Sequence, residues 1–151
     1  MKQRLQRALG IGCLGLALLG GCVTQPPAVG EREIRTESDQ SSLERRARVR
    51  LELASAYFAR GQANTALDEI KLALAAKADL PEAFSLRGLI YGSMGEVTLA
   101  EQRFQRALQL APRDGDTLHN YAWFLCQQRR YYDADVQFAA ALVAPQYAEV
   151  P

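Results

Sequence analysis

The residues best suited to chemistry near neutral pH are a histidine and a thiol on one predicted helix. His119 is the single histidine of the 151-residue chain, and Cys126 lies seven residues further on. Seven residues make about two helical turns, so the two side chains share a face at a separation of roughly 10 Å. That separation is too long for a nucleophile and its general base, and two ligands cannot close a zinc site. We therefore predict that Cys126 is a small packing residue and that the pair is neither catalytic nor metal-binding.

Known catalytic and nucleotide-binding motifs give no stronger lead. The sequence contains no Walker motif, no H-E-x-x-H and no G-x-S-x-G. Residues 10–15 match G-x-G-x-x-G, but that fingerprint needs a strand before it, a helix after it and a folded domain around it. Pairs such as Asp133 and Asp135 fall where a helix presents them to solvent. We predict no enzymatic activity, no cofactor and no small-molecule substrate.

The remaining thiol of interest, Cys22, ends an apolar segment near the amino terminus. Three basic residues precede an apolar run over 8–19, which is shorter than the about 20 residues needed to span a bilayer and is typical of a secretory signal. The sequence Leu19-Gly20-Gly21-Cys22 resembles the lipobox of bacterial lipoproteins. That resemblance implies a signal peptide over 1–21, cleaved before Cys22, and acylation of the Cys22 sulfur and amino group. The alternative is an uncleaved helix with an incidental cysteine.

The address of such a lipoprotein depends on the residue after the cysteine. Residue 23 is valine and not aspartate, which in enterobacterial-type sorting implies transfer to the outer membrane. Several acyl chains on one cysteine make a durable anchor. We therefore expect a lipid-anchored protein that faces the periplasm from the outer membrane.

A polar segment separates the anchor from the first predicted helix. Residues 22–41 include Pro26, Pro27 and Gly30 and almost no large apolar side chains, so too little surface can be buried to offset the entropy of ordering them. We predict a flexible tether there. Ser41 and Glu44 fit a capping box, which predicts that the first helix begins at about residue 43.

The rest of the chain, 42–151, repeats every 34 residues. Small, aromatic and turn residues recur where a tetratricopeptide repeat places them, which predicts an all-α solenoid of about three helix-turn-helix repeats over 47–80, 81–114 and 115–146. The expected helices are 43–60, 63–77, 81–94, 97–110, 115–128 and 131–143, and Gly61 is expected to take a left-handed cap. The predicted packing positions are Ala54, Gly88, Ala122, Ala66, Ala100 and Ala134, with Tyr57, Tyr91, Ile70, Phe104 and Phe138 around them.

The first helix of each pair in such a solenoid lines a concave groove. The groove positions of the family, carried over repeat by repeat, form a string of apolar residues among polar ones, which is typical of a surface that binds a helix or an extended peptide. The alternative is that neighbouring repeats simply cover some of these side chains. The predicted partner-binding residues are Leu51, Ser55, Phe58, Ser85, Leu89, His119, Trp123 and Gln127.

Charge argues against nucleic acid as the partner. Three of the 18 lysines and arginines precede residue 22, where there is no acidic residue, so a product that starts at Cys22 has a formal net charge of −2. Binding to phosphates needs a clustered basic surface. The run Arg45, Arg46, Arg48 and Arg50 is typical of a solvated helix face.

Signal, lipobox, tether and tandem repeats in this order resemble the type IV pilus biogenesis and stability lipoproteins, the pilotins of the PilF/PilW kind. The stretch HNYAWFLCQQRRY at 119–131 is similar to that family's N-Y-x-x-F-L-x-x-x-x-R-Y. The resemblance implies a protein that binds the type IV pilus secretin subunit and assists its delivery to, or assembly in, the outer membrane. The rival function is a repeat lipoprotein adaptor for other cell-envelope enzymes or assembly machines.

The end of the chain departs from that family, whose members usually have about six repeats. Phe138 and Leu142 on the last predicted helix would normally be covered by a following helix. We expect this face to be covered by self-association or by a partner, or the repeats to continue beyond residue 151, and the second expectation is slightly favoured.

Overall fold

Six α-helices make up the described part of the protein. The computed structural model describes residues 37–145, and the predicted signal peptide, Cys22 and most of the predicted tether lie outside this range. The helices are α1 (Glu37–Ala59), α2 (Ala63–Ala76), α3 (Pro81–Ser93), α4 (Val97–Leu110), α5 (Gly115–Gln127) and α6 (Tyr131–Leu142). They pair as the hairpins α1–α2, α3–α4 and α5–α6, and α3 also packs against α1, α2 and α5. The predicted all-α arrangement of three helix-turn-helix repeats is confirmed.

The start of α1 is the main correction to the predicted helices. α1 begins at Glu37, six residues before the expected start and inside the segment predicted to be a tether. The Ser41 hydroxyl donates to the Ser38 carbonyl oxygen at 2.8 Å, and the Ser42 hydroxyl donates to the Asp39 carbonyl oxygen at 2.8 Å. Because serine can bond back to the preceding turn, it is compatible with a helix interior as well as with a cap. The predicted capping box is wrong, and the Glu44 carboxylate instead accepts from Lys77 Nζ at 3.1 Å.

The turns after α1, α3 and α5 share one backbone conformation. Gly61 and Gly95 have φ of 75° and 78°, and Arg129, at the same position of the third repeat, has φ of 60°. In each turn the next amide donates to a carbonyl five residues back, as in a Schellman motif. The predicted left-handed cap at Gly61 is confirmed, whereas Arg129 bears a side chain in a region that costs most residues about 1–2 kcal/mol. The three bonds are Gln62 to Tyr57 (3.0 Å), Glu96 to Tyr91 (2.9 Å) and Arg130 to Leu125 (3.0 Å).

Small residues at the helix contacts bring the hairpins close together. Two buried clusters form the core, one around Ile70 and one around Phe104. The Phe104 ring lies 5.3 Å from the Tyr121 ring and 5.5 Å from the Phe124 ring, measured between centroids. The predicted packing positions are confirmed as fully buried for Ala54, Ala66, Ile70, Ala100, Phe104, Ala122 and Ala134, while Tyr57, Tyr91 and Phe138 are half-buried.

Candidate partner-binding groove

The first helices of the three repeats line one cavity of about 270 Å³. Four of the predicted groove residues meet there, namely Leu51 and Ser55 from α1 and Ser85 and Leu89 from α3. Their 34-residue spacing places equivalent positions of neighbouring repeats side by side. We call this cavity the groove, and its remaining lining residues are Glu82, Leu86, Asp114, Asp116, Thr117 and Asn120.

One hydrogen bond between repeats and one helix cap lie at the floor of the groove. The Asn120 side-chain amide donates to the Ser85 hydroxyl at 3.4 Å, which joins α5 to α3. Ser85 is itself buried, so it contributes to the wall more than to the open surface. The Asp114 carboxylate caps α5 by accepting from the Thr117 amide at 2.9 Å. The groove is therefore a preformed surface in which the α5 start is held by its own cap.

The charged side chains that line the groove are all acidic. They are Glu82 on α3, Asp114 just before α5, and Asp116 in the first turn of α5. The aliphatic residues Leu51 and Leu89 lie among them. A volume of about 270 Å³ is at the lower edge of the roughly 300–1,000 Å³ typical of small-molecule sites. The groove has room for a few side chains of a bound segment, including hydrogen-bond donors and cationic groups. It has little room for a whole enclosed ligand.

The other four predicted residues lie outside this cavity. Phe58 is half-buried and packs on the first core cluster, and Gln127 is exposed near the end of α5. Trp123 is 51% exposed, so no neighbouring repeat covers it within residues 37–145. His119 is also exposed, and its ring lies edge-on to Phe138 with centroids 5.4 Å apart. These four positions do not form a continuous lining with Leu51 and Leu89, and their role in binding stays a prediction.

The predicted residues of α5 lie outside the groove because α5 belongs to the last of the three described repeats. On α5, Asp116, Thr117 and Asn120 contribute to the groove with α3, whereas His119 lies beside α6. There, His119, Phe138, Ala141 and Leu142 line a second apolar cavity of about 310 Å³. Leu142 is 74% exposed and Phe138 is half-buried, and what covers this face stays a prediction.

The groove residues that sequence reasoning missed follow the same 34-residue spacing. Glu82 and Asp116 are 34 residues apart, as are Leu86 and Asn120. Both pairs occupy columns adjacent to the predicted ones. Their signal was therefore present, but it became meaningful only once the rotation of each helix was known.

Three arginines of the run lie on the far side of α1, whereas Arg48 lines a neighbouring depression together with Leu51 and Glu82. Arg45, Arg46 and Arg50 are exposed and line a broad depression with Val49 and Leu53. Val49 and Leu53 are two positions from the groove residue Leu51, so their side chains point roughly opposite to it. Arg50 also pairs with Glu69 at 2.9 Å. The predicted solvated face is confirmed, although apolar residues accompany the arginines.

The strongest electrostatic interactions belong to a structural network away from the groove. The Glu101 carboxylate accepts from Tyr121 Oη at 2.8 Å and from Arg130 Nη1 at 2.7 Å, and Arg130 Nε donates to Asp133 at 2.8 Å. Burial and the bond to Glu101 raise the pKa of Tyr121 to about 12. Burial raises the pKa of Glu101, but the hydrogen bonds from Arg130 and Tyr121 outweigh it, so the net pKa lies below the usual value. The network ties α4 to α5 and α6, which explains these pKa shifts without a catalytic role.

The residues over 37–145 offer neither a clustered set of metal ligands nor a membrane-spanning helix. No group of three or more His, Cys, Asp and Glu side chains over 37–145 is arranged to hold a metal ion. No helix in the same range has the length and hydropathy required to cross a membrane.

Comparison of the whole fold with solved structures decides its class. A structure from the functional characterization of Pseudomonas aeruginosa pilF superposes with a TM-score of 0.68 and 24% identity, over 72% of this chain and 49% of that one. The Arabidopsis OM64 tetratricopeptide domain gives a TM-score of 0.61 and 18% identity, over 69% of this chain and 86% of that one. The fold is a tetratricopeptide-repeat solenoid. A third such structure is the second tetratricopeptide domain of Spaghetti (RPAP3) bound to the HSP90 peptide SRMEEVD, with a TM-score of 0.61, 16% identity, and coverage of 72% and 99%.

Sequence comparison is less informative about this repeat protein. No family model matches the chain. An uncharacterized protein of Haemophilus influenzae (strain Rd) is 29% identical over 101 residues, which are 67% of this chain and 56% of the relative. The chain thus spans about half the length of that relative and of the pilF structure.

Proposed function

We propose that this protein is a pilotin, an outer-membrane-anchored periplasmic protein that binds the type IV pilus secretin subunit and assists its localisation or assembly. The observation that carries the proposal is the preformed groove on a tetratricopeptide solenoid, in a chain that begins with a lipobox-like sequence ending at Cys22. The resemblance of residues 119–131 to pilotins supports the choice of partner. The similarity in fold to P. aeruginosa pilF is compatible with it.

The groove supports binding of a protein segment in preference to catalysis. It combines the half-buried leucines Leu51 and Leu89 with hydrogen-bonding and charged groups, a combination that suits a peptide whose alternate side chains enter a pocket. The second tetratricopeptide domain of Spaghetti holds a short peptide, so a fold of this size is sufficient for such binding. In this role the acyl chains supply the membrane address and the groove supplies the contact with secretin.

The experiment that tests the partner is capture of secretin from detergent extracts. We expect the wild-type protein to retain the secretin subunit. Leu89→Asp should lose at least about tenfold of the captured secretin, because it puts a carboxylate beside the aliphatic wall. Ser55→Tyr should lose a similar amount by filling the cavity from an exposed position, where a change places little strain on the core.

A matched control separates loss of the groove from loss of the fold. Leu72→Asp adds the same charge at a leucine that is 47% exposed and lies outside the groove, so it should capture secretin as well as wild type. Absence of secretin from the wild-type eluate would contradict the pilotin proposal. Equal capture by all four proteins would move the binding site away from the groove, and capture of a different envelope protein would favour the adaptor function.

The proposed anchor makes a separate prediction. Cells fed an alkyne-labelled fatty acid should incorporate the label into the wild-type protein and not into Cys22→Ser, and only the wild-type protein should sediment with outer membranes. A Cys13→Ser variant is the control, since it also removes an amino-terminal thiol. Label that persists in Cys22→Ser would exclude the proposed lipidation.

A further inference from the structure

The charge of the groove distinguishes between kinds of bound segment. Glu82, Asp114 and Asp116 line it, and no lysine, arginine or histidine does so. An acidic segment, or a free carboxyl terminus, would bring like charge to these three carboxylates. A lysine or arginine side chain would meet opposite charge there, and a hydrogen bond from such a cation to a carboxylate is stronger than a neutral one.

Aliphatic side chains flank the carboxylates. Leu51, Leu86 and Leu89 are all half-buried, so each keeps part of its surface open on the groove. Apolar groups of a partner gain from covering that surface. The groove is therefore amphipathic, with a leucine wall from α1 and α3 and carboxylates from the start of α3 and the start of α5.

The size of the groove argues for an extended segment. An α-helix is about 10 Å wide even with small side chains, so a length equal to its width fills roughly 800 Å³. The cavity has about 270 Å³. The enclosed part of the groove therefore holds a few side chains, such as those of an extended segment, and not the full cross-section of a helix.

We propose that the groove selects an extended segment in which a lysine or arginine has aliphatic neighbours. The cation lies against Glu82 and Asp116, and the neighbours cover Leu51 and Leu89. This inference rests on the proposed use of the groove for protein binding, but it does not depend on secretin as the partner. The attraction for the cation comes from the charge of Asp114 and Asp116, and it is present whatever other hydrogen bonds these carboxylates make.

A random linear-peptide library displayed on phage tests the inference on the whole purified protein. Selected peptides should be enriched in lysine or arginine next to leucine, isoleucine or valine. A synthetic selected peptide should bind about tenfold more tightly than its lysine-to-glutamate counterpart in a fluorescence anisotropy titration. Binding of the selected peptide should weaken as salt is added, because salt screens the exposed carboxylates of Glu82 and Asp116.

Charge-neutralising variants assign the effect to the groove. Glu82→Gln with Asp116→Asn should weaken the selected peptide by about tenfold, while Asp68→Asn with Asp135→Asn, two exposed carboxylates outside the groove, should not change it. Enrichment of neutral or acidic peptides, failure to select any peptide, or equal effects of the two double variants would overturn the inference. The library contains no secretin, so loss of the pilotin assignment and loss of this inference are separate outcomes.

Discussion

Replacing Phe104 with alanine should lower the free energy of unfolding by about 3–5 kcal/mol. The Phe104 side chain is fully buried and is among the largest fully buried side chains of the described residues. Its ring packs on Tyr121 at 5.3 Å and on Phe124 at 5.5 Å between centroids, so it joins the second repeat to the third. Truncation leaves a cavity that helices held by other contacts can only partly close. Denaturant unfolding followed by circular dichroism measures the loss.

Phe84→Ala is the matched control for this change. Phe84 is half-buried on α3, and its ring has the Arg106 guanidinium 5.9 Å away on one face. Because less apolar surface is lost there, we expect well under half of the Phe104 effect. Equal losses from the two variants would mean that burial in this core does not determine stability.

Gly88→Ala should also destabilise the protein, by about 1–3 kcal/mol. In most helix interiors this substitution is stabilising by roughly 0.5–1 kcal/mol, because alanine restricts the unfolded chain. At Gly88, however, a Cβ atom would lie 2.8 Å from Phe104 Cζ and 2.9 Å from Phe104 Cδ1. The new methyl group must displace the most buried ring of the core, so the expected sign is reversed. The same unfolding measurement tests it.

A double-mutant cycle identifies the ring as the cause. In a Phe104→Leu background the aromatic edge that the methyl group meets is absent, so Gly88→Ala should cost much less than it does in wild type. If Gly88→Ala costs the same in both backgrounds, or stabilises the wild type, the close contact is not what determines the preference for glycine.

The two predictions concern positions that sequence reasoning placed correctly, for a physical reason. Alanine columns recur every 34 residues, Gly61 and Gly95 share another column, and prolines lie near the breaks between helices. Each of these residues restricts the backbone or the helix contact where it occurs. The bounds of α2 to α6 were therefore predicted to within one residue. The start of α1 was not, because Ser41 and Ser42 satisfy their hydroxyls equally well inside a helix.

The candidate groove was only half predictable. The 34-residue spacing identifies which positions do not face the core. That information was sufficient to predict Leu51, Ser55, Ser85 and Leu89 as groove residues. It does not give the side from which the next helix closes the cavity, so Asn120 and Asp116 were missed. His119 was assigned to the groove because its column matches Ser85, yet the contacts that make such a column a lining position come from the following repeat.

The three matching turns at Gly61, Gly95 and Arg129 have a consequence for how such a protein changes over evolutionary time. Each turn is closed by equivalent backbone bonds and is followed by a helix that starts at the same step of the repeat. A gene duplication that inserts one whole repeat would therefore leave the joints on both sides unchanged. The number of partner residues that are read can grow or shrink in units of one repeat, while substitutions inside a repeat adjust which residues are preferred.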